Sequence, residues 1–196
     1  RVNTVIFGSS PEDFCLYNYS KAPVKGLSDW LSARRRESHE FRWAYPETMH
    51  ITLKFCGERP SETVDMLLDN LKNIRPTGPF DINIEGIGGF PDLQRPRVAW
   101  AGLRGDTERL FAIRSEVEKA ALKASIPKEN KKYTPHITIG RRNSDLPLPQ
   151  RILSLMESAT LVTAPWTVSE ITLMEVSFLQ WDQGILPWVF SKYNIL

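Results

Sequence analysis

Two of the chain's three histidines sit in one repeated phrase. Met49-His50-Ile51-Thr52-Leu53-Lys54-Phe55 returns 86 positions later as Tyr133-Thr134-Pro135-His136-Ile137-Thr138-Ile139-Gly140-Arg141. Both cores carry the β-branched residues that suit a strand. Residues i and i+2 of a strand share a face, so each imidazole lies beside a threonine hydroxyl while Ile51, Leu53, Ile137 and Ile139 point into a core. With three His and 12 Thr among 196 residues, two chance His-x-Thr triplets are an event of order 1%. One copy alone would read as a half-buried strand histidine. Two copies read as a site.

Two imidazoles with ordinary pKa near 6.5 can be held one neutral and one protonated at neutral pH. That pairing suits in-line displacement at phosphorus, where one ring takes a proton from the attacking oxygen and the other returns one to the leaving oxygen. Each transfer typically supplies about 10²- to 10⁴-fold in rate. The hydroxyls of Thr52 and Thr138 can donate to non-bridging phosphate oxygens. Arg141, five positions beyond His136, can take a phosphate bidentately.

Other chemistries find little support. A metal needs three or four ligands, and no Asp, Glu or Cys stands at ligand spacing beside either histidine. A G-x-S-x-G nucleophile elbow is missing. Gly86-Ile87-Gly88-Gly89 leads into Phe90-Pro91 and not into a helix, so it reads as a tight turn and not as a dinucleotide loop.

The elements that must position these residues alternate. Thr4–Phe7 reads as a buried strand ended by Gly8-Ser9-Ser10-Pro11. Leu27, Trp30 and Leu31 have helical spacing, with Arg34-Arg35-Arg36 at the C-terminal end. Strand His50–Phe55 precedes a helix that Ser61 caps, with Val64, Leu67, Leu68, Leu71 and Ile74 inward. Strands Phe80–Glu85 and Arg97–Leu103 come next. A helix opening at Asp106 or Thr107 turns Leu110, Ile113, Val117 and Ala120 or Ala121 inward. Strand His136–Gly140, a short helix Gln150–Glu157 and strands near Trp166–Val176 and Trp188–Tyr193 complete the chain. The reading is one α+β domain over residues 1–196: two similar αβ lobes, each with a His-x-Thr motif, with mostly antiparallel sheets facing across a central cleft.

Composition agrees with an ordinary globular domain: 41% hydrophobic, 24% charged, net charge +2 and a pI near 8.6. The mild basicity permits an anionic ligand without arguing for one. Cys15 and Cys56 lack motif spacing, so reduced thiols and a cytoplasmic setting are expected. No apolar run reaches the ~18 residues of a membrane span, and no signal-like segment opens the sequence.

Taken together, these residues resemble the 2H phosphoesterases, specifically the RNA 2′,3′-cyclic phosphodiesterases, also called 2′–5′ RNA ligases. Arg42-Trp43, Pro46-Glu47, Lys54-Phe55 and Gly57-Glu58 around His50 resemble the family's first block. Gly89-Phe90-Pro91, Pro96-Arg97-Val98 and Trp100-Ala101-Gly102 resemble its middle block, and Pro135 and Arg141 around His136 its second motif. The resemblance implies His50 and His136 as the acid/base pair, Thr52, Thr138 and Arg141 as phosphate ligands, and neither metal nor nucleotide cofactor. The implied reaction opens a terminal 2′,3′-cyclic phosphate of RNA, such as a tRNA half or a nucleotide, to a 2′-phosphate, with reverse 2′–5′ ligation as the same chemistry. His50 is assigned as acid and His136 as base, the reverse remaining open. Phe55, Tyr133 and Lys54 are candidate base or RNA contacts, and Arg42, Lys131, Lys132 and Arg142 a basic rim. A monomer with no membrane partner is expected. A phosphodiesterase on 2′–5′ linked or 3′-terminal RNA, or a non-catalytic RNA-binding module, are the alternatives. Cys15–Tyr19 and Met174-Glu175-Val176-Ser177 depart from the family pattern.

Overall fold

A computed structural model describes residues 2–8, 21–45, 49–57, 59–74, 78–168, 170–181 and 184–194. Gly8 closes strand β1 (Val2–Gly8); Ser9-Ser10-Pro11, the Cys15–Tyr19 stretch, Pro46-Glu47 and Glu58 lie outside these residues. The further elements are helix α1 (Lys21–Glu37), then β2 (Arg42–Trp43), β3 (Ile51–Phe55), α2 (Ser61–Lys72), β4 (Phe80–Phe90), β5 (Val98–Gly105), α3 (Thr107–Lys123), β6 (His136–Arg141), α4 (Gln150–Glu157), β7 (Trp166–Val168), β8 (Glu170–Trp181) and β9 (Gly184–Asn194). No helix among the described residues is long and apolar enough to cross a membrane.

The helices follow their apolar periodicity. Leu67 and Leu71 of α2, and Leu110, Ile113, Val117, Ala120 and Ala121 of α3, are buried, and the two helices pack on one another, with α3 also against β3. Pro60, not Ser61, occupies the N-cap of α2; Ser61 is its first helical residue, and no side-chain bond caps the helix. Three arginines end α1, where cations suit the helix dipole. Arg34 pairs with Glu37 and lies over the Trp30 ring, while Arg35 donates to the Ala44 carbonyl and covers Tyr45.

All strand pairings among the described residues are antiparallel, and the strands run in the order β7-β4-β5-β6-β3-β1-β8-β9, with β2 also on β6. Each half of that path holds four strands, and a motif strand forms the inner edge of each. The halves meet through one register pair, Ile51 with Ile137.

That order requires a bend. Six strand spacings separate β7 from β8 along the path, about 28 Å if the sheet lay flat. Only two peptide steps separate Val168 from Glu170, a reach of less than about 8 Å. The two halves therefore fold toward each other.

Two features differ from the strand pattern read in the sequence. β4 does not close in a tight turn at Gly86–Gly89 but runs on to Phe90, absorbing a register shift between Ile84 and Ile87 with Gly86 at φ +79°. The stretch from Trp166 divides in two: β7 pairs with β4, while β8 pairs with β1.

Candidate active site

Both motif strands carry a β-bulge at the same place. Against β1, Val5 pairs with Lys54 and Ile6 with Thr52, leaving Leu53 as the extra residue. Against β5, Ala99 pairs with Gly140 and Trp100 with Thr138, leaving Ile139 extra. A bulge puts two successive residues on one side and re-aims the residues beyond it. The burial patterns agree: residues 50–55 and 136–141 each run half-buried, buried, half-buried, buried, buried, exposed. His50, Thr52 and Phe55 thus share one face, and His136, Thr138 and Arg141 share its counterpart.

The Ile51–Ile137 pair brings the copies together. Antiparallel register on either side of it sets His50 across from Thr138 and Thr52 across from His136. The tertiary structure thus gathers all four motif side chains on one face, away from α3.

His136 is oriented on its far side. The carbonyl of Thr134 can only accept, and it lies 2.6 Å from Nδ1, so Nδ1 carries the proton. The neutral ring then presents the Nε2 lone pair. Phe90 packs edge-on against the imidazole at 5.0 Å and Trp100 lies at 6.2 Å, with Phe90 and Trp100 5.4 Å from each other. Burial lowers the His136 pKa below the usual 6.5 and the Arg141 charge adds to that, against the opposing effect of the Thr134 hydrogen bond. A histidine so placed is neutral at pH 7 and suited to accept a proton. Neither aromatic residue has a role at the site in the sequence reading; alternation along β4 and β5, which puts Gly88, Phe90, Trp100 and Gly102 on one face, was the signal available.

Other candidates separate by face. Phe55 is 55% exposed at the position that corresponds to Arg141 in the other copy. Lys54 is not a rim or RNA residue: the bulge turns it inward, where it is fully buried and donates to both carboxylate oxygens of Glu118 and to the Pro127 carbonyl at 2.8 Å. Arg114 also reaches Glu118 and Glu129, so this charge cluster ties β3 to α3 and to the loop leading into β6. Tyr133 is not placed to stack on a base either. Its ring lies edge-on to Phe111 and under the Arg114 guanidinium, both on α3, with its hydroxyl buried. Arg142 is buried and paired with Glu40, which leaves Arg141 as the exposed arginine of the two. Arg42, Lys131 and Lys132 are exposed. Among the described residues, no three His, Cys, Asp or Glu side chains are grouped so as to hold a metal ion.

The family model of the 2′-5′ RNA ligase superfamily matches residues 23–177. A protein of Aeropyrum pernix named RNA 2′,3′-cyclic phosphodiesterase is 33% identical over 150 residues, 76% of this chain and 80% of that protein. One of the same name from Aquifex aeolicus is 37% identical over 105 residues, but the match spans only 53% of this chain and 56% of that protein. A crystal structure from Thermus thermophilus shares the fold with a TM-score of 0.69 at 21% identity, covering 100% of this chain and 98% of the other. The chain belongs to the 2′-5′ RNA ligase superfamily.

Proposed function

We propose that this protein hydrolyses the terminal 2′,3′-cyclic phosphate of RNA to a 2′-phosphate, the Aeropyrum and Aquifex relatives being named as phosphodiesterases of that cyclic phosphate. One observation carries the reading: two identically bulged His-x-Thr strands, paired at Ile51 and Ile137, present their imidazoles and hydroxyls on one face. We read the chain as one domain in which each lobe supplies half of the site.

In this mechanism the phosphate lies between the histidines. Nε2 of His136 takes a proton from water as its oxygen attacks phosphorus, and the P–O3′ bond breaks as His50 gives its proton to O3′. The hydroxyls of Thr52 and Thr138 hold non-bridging oxygens, and Arg141 neutralises charge that builds on them. The lowered pKa of His136 and its fixed tautomer favour this assignment over the reverse one. Phe55, exposed on the same face, offers a ring to the terminal base.

The test is phosphorus NMR on a short RNA ending in a 2′,3′-cyclic phosphate, with chelator present. Conversion to a 2′-monoester is expected. A 3′-monoester would reverse the histidine roles or the pose. Binding without conversion would leave an RNA-binding module.

A further inference from the structure

Arg42 and Arg141 stand directly across from each other where β2 meets β6. The neighbouring pair, Trp43 with Gly140, is buried, while both arginines are exposed, so the guanidiniums share the outward face. The bulge at Ile139 puts Arg141 on the face of His136 and Thr138, and Arg42 accompanies it there. Along β6, Arg42 and Arg141 thus follow the Ile51–Ile137 pair, whose flanking residues are the histidines and threonines of the two motifs.

The arginine pair is unusual. Like charges directly opposite on adjacent strands are destabilising. Among the described residues neither arginine has an ion-pair or hydrogen-bond partner that would relieve the repulsion, whereas the nearby Arg34, Arg35, Arg97 and Arg142 all do. An uncompensated pair of forked donors beside a phosphate site is a place for an anion. Its distance from the reacting centre says which one. Three residue steps separate Thr138 from Arg141, up to about 10 Å along the strand. Arg141 can reach back to the reacting phosphate, and Arg42, directly across from it on the edge of β6 that β3 also occupies, adds a second guanidinium at the same level, enough to hold a second phosphate.

We propose that Arg42 binds the phosphodiester preceding the terminal nucleotide, so that the site selects the end of an RNA strand over a free nucleoside 2′,3′-cyclic phosphate. This rests on the phosphodiesterase reading of the histidine pair and deepens it by naming the substrate class.

The experiment compares kcat/KM for a nucleoside 2′,3′-cyclic phosphate with that for a dinucleotide ending in the same cyclic phosphate, in the wild type and in Arg42→Gln. A wild-type preference for the dinucleotide is expected, and the variant should lose roughly 10- to 100-fold of it, the range for one charge-assisted hydrogen-bonded contact. The slope of log affinity against log salt for the dinucleotide should also fall by about 0.7, one single-strand phosphate contact. An unchanged preference ratio in the variant, including the case where both substrates slow together, overturns the proposal. If the wild type turns over neither substrate, the phosphodiesterase reading is what fails. Binding of a 2′-phosphorylated dinucleotide then still decides the point, since Arg42→Gln must weaken it and flatten its salt dependence, and equal affinities would reject the contact.

Discussion

Gly88 is where the fold touches the chemistry most directly. The Trp100 indole lies across it: a Cβ added at Gly88 would stand 2.1, 2.3 and 2.5 Å from three indole carbons. Ordinary contact begins near 3.4 Å, so in Gly88→Ala the ring must retreat by more than an ångström. It has little room, because Phe90 packs against it and His136 lies beside both. Overpacking of this kind costs about 1–3 kcal/mol, while the lost glycine flexibility returns about 0.5–1 kcal/mol. The clash wins over nearly all of these ranges, with a net loss of up to about 2.5 kcal/mol. For a chain of this length that lowers Tm by up to about 10 °C. Thermal denaturation by circular dichroism reads this first effect. The second is electrostatic: burial keeps His136 below the usual 6.5, and displacing the indole admits water, so the imidazole should titrate closer to 6.5 by NMR. A double-mutant cycle separates the contact from background, because in Trp100→Leu the same alanine should cost almost nothing. An unchanged or raised Tm together with an unmoved His136 titration would refute the reasoning, since the indole would then swing freely and have no hold on the imidazole.

The proposed chemistry carries four further expectations. His50→Ala and His136→Ala should each lower turnover of a cyclic-phosphate RNA by about 10²- to 10⁴-fold; full turnover in either variant would remove that residue from the mechanism. The acidic limb of kcat/KM against pH should fall below 6.5, because the base must be deprotonated and the native His136 pKa is lowered. Arg141→Gln should move that limb upward by removing a cation that disfavours protonation, besides raising KM; a limb that stays put or moves down contradicts the coupling. Phe55→Ala should raise KM for an RNA end by the roughly 1–3 kcal/mol of a base–aromatic stack, with Tm nearly unchanged because the ring is mostly exposed; equal KM values would return Phe55 to the surface with no role.

Local pattern carried much of the architecture. Apolar periodicity placed α2 and α3, because burying an amphipathic face leaves its repeat in the sequence. The paired His-Ile-Thr strands were legible for the same reason, since strand alternation alone decides that His and Thr share a face. Alternation fails where it is carried past the bulge. Unbroken, it turns Lys54 to the cleft and Phe55 to the core, and the bulge at Leu53 reverses them. A bulge exists only in the pairing of two strands, so neither strand's sequence announces it. Tyr133 fails differently: its basic loop suggests RNA, but Phe111 and Arg114 from α3 claim the ring.

By itself the sequence determined the chemistry on offer: two imidazoles, two hydroxyls and a guanidinium, each histidine fixed beside its threonine by a two-residue period. Tertiary structure decided that these residues come to one face. It set the copies side by side through Ile51 and Ile137, aimed Arg141 and Phe55 by bulges, turned Lys54 inward to Glu118 and put Arg42 beside Arg141. Side-chain facing along a strand is local, whereas register, bulging and partner choice are settled between segments far apart in the chain.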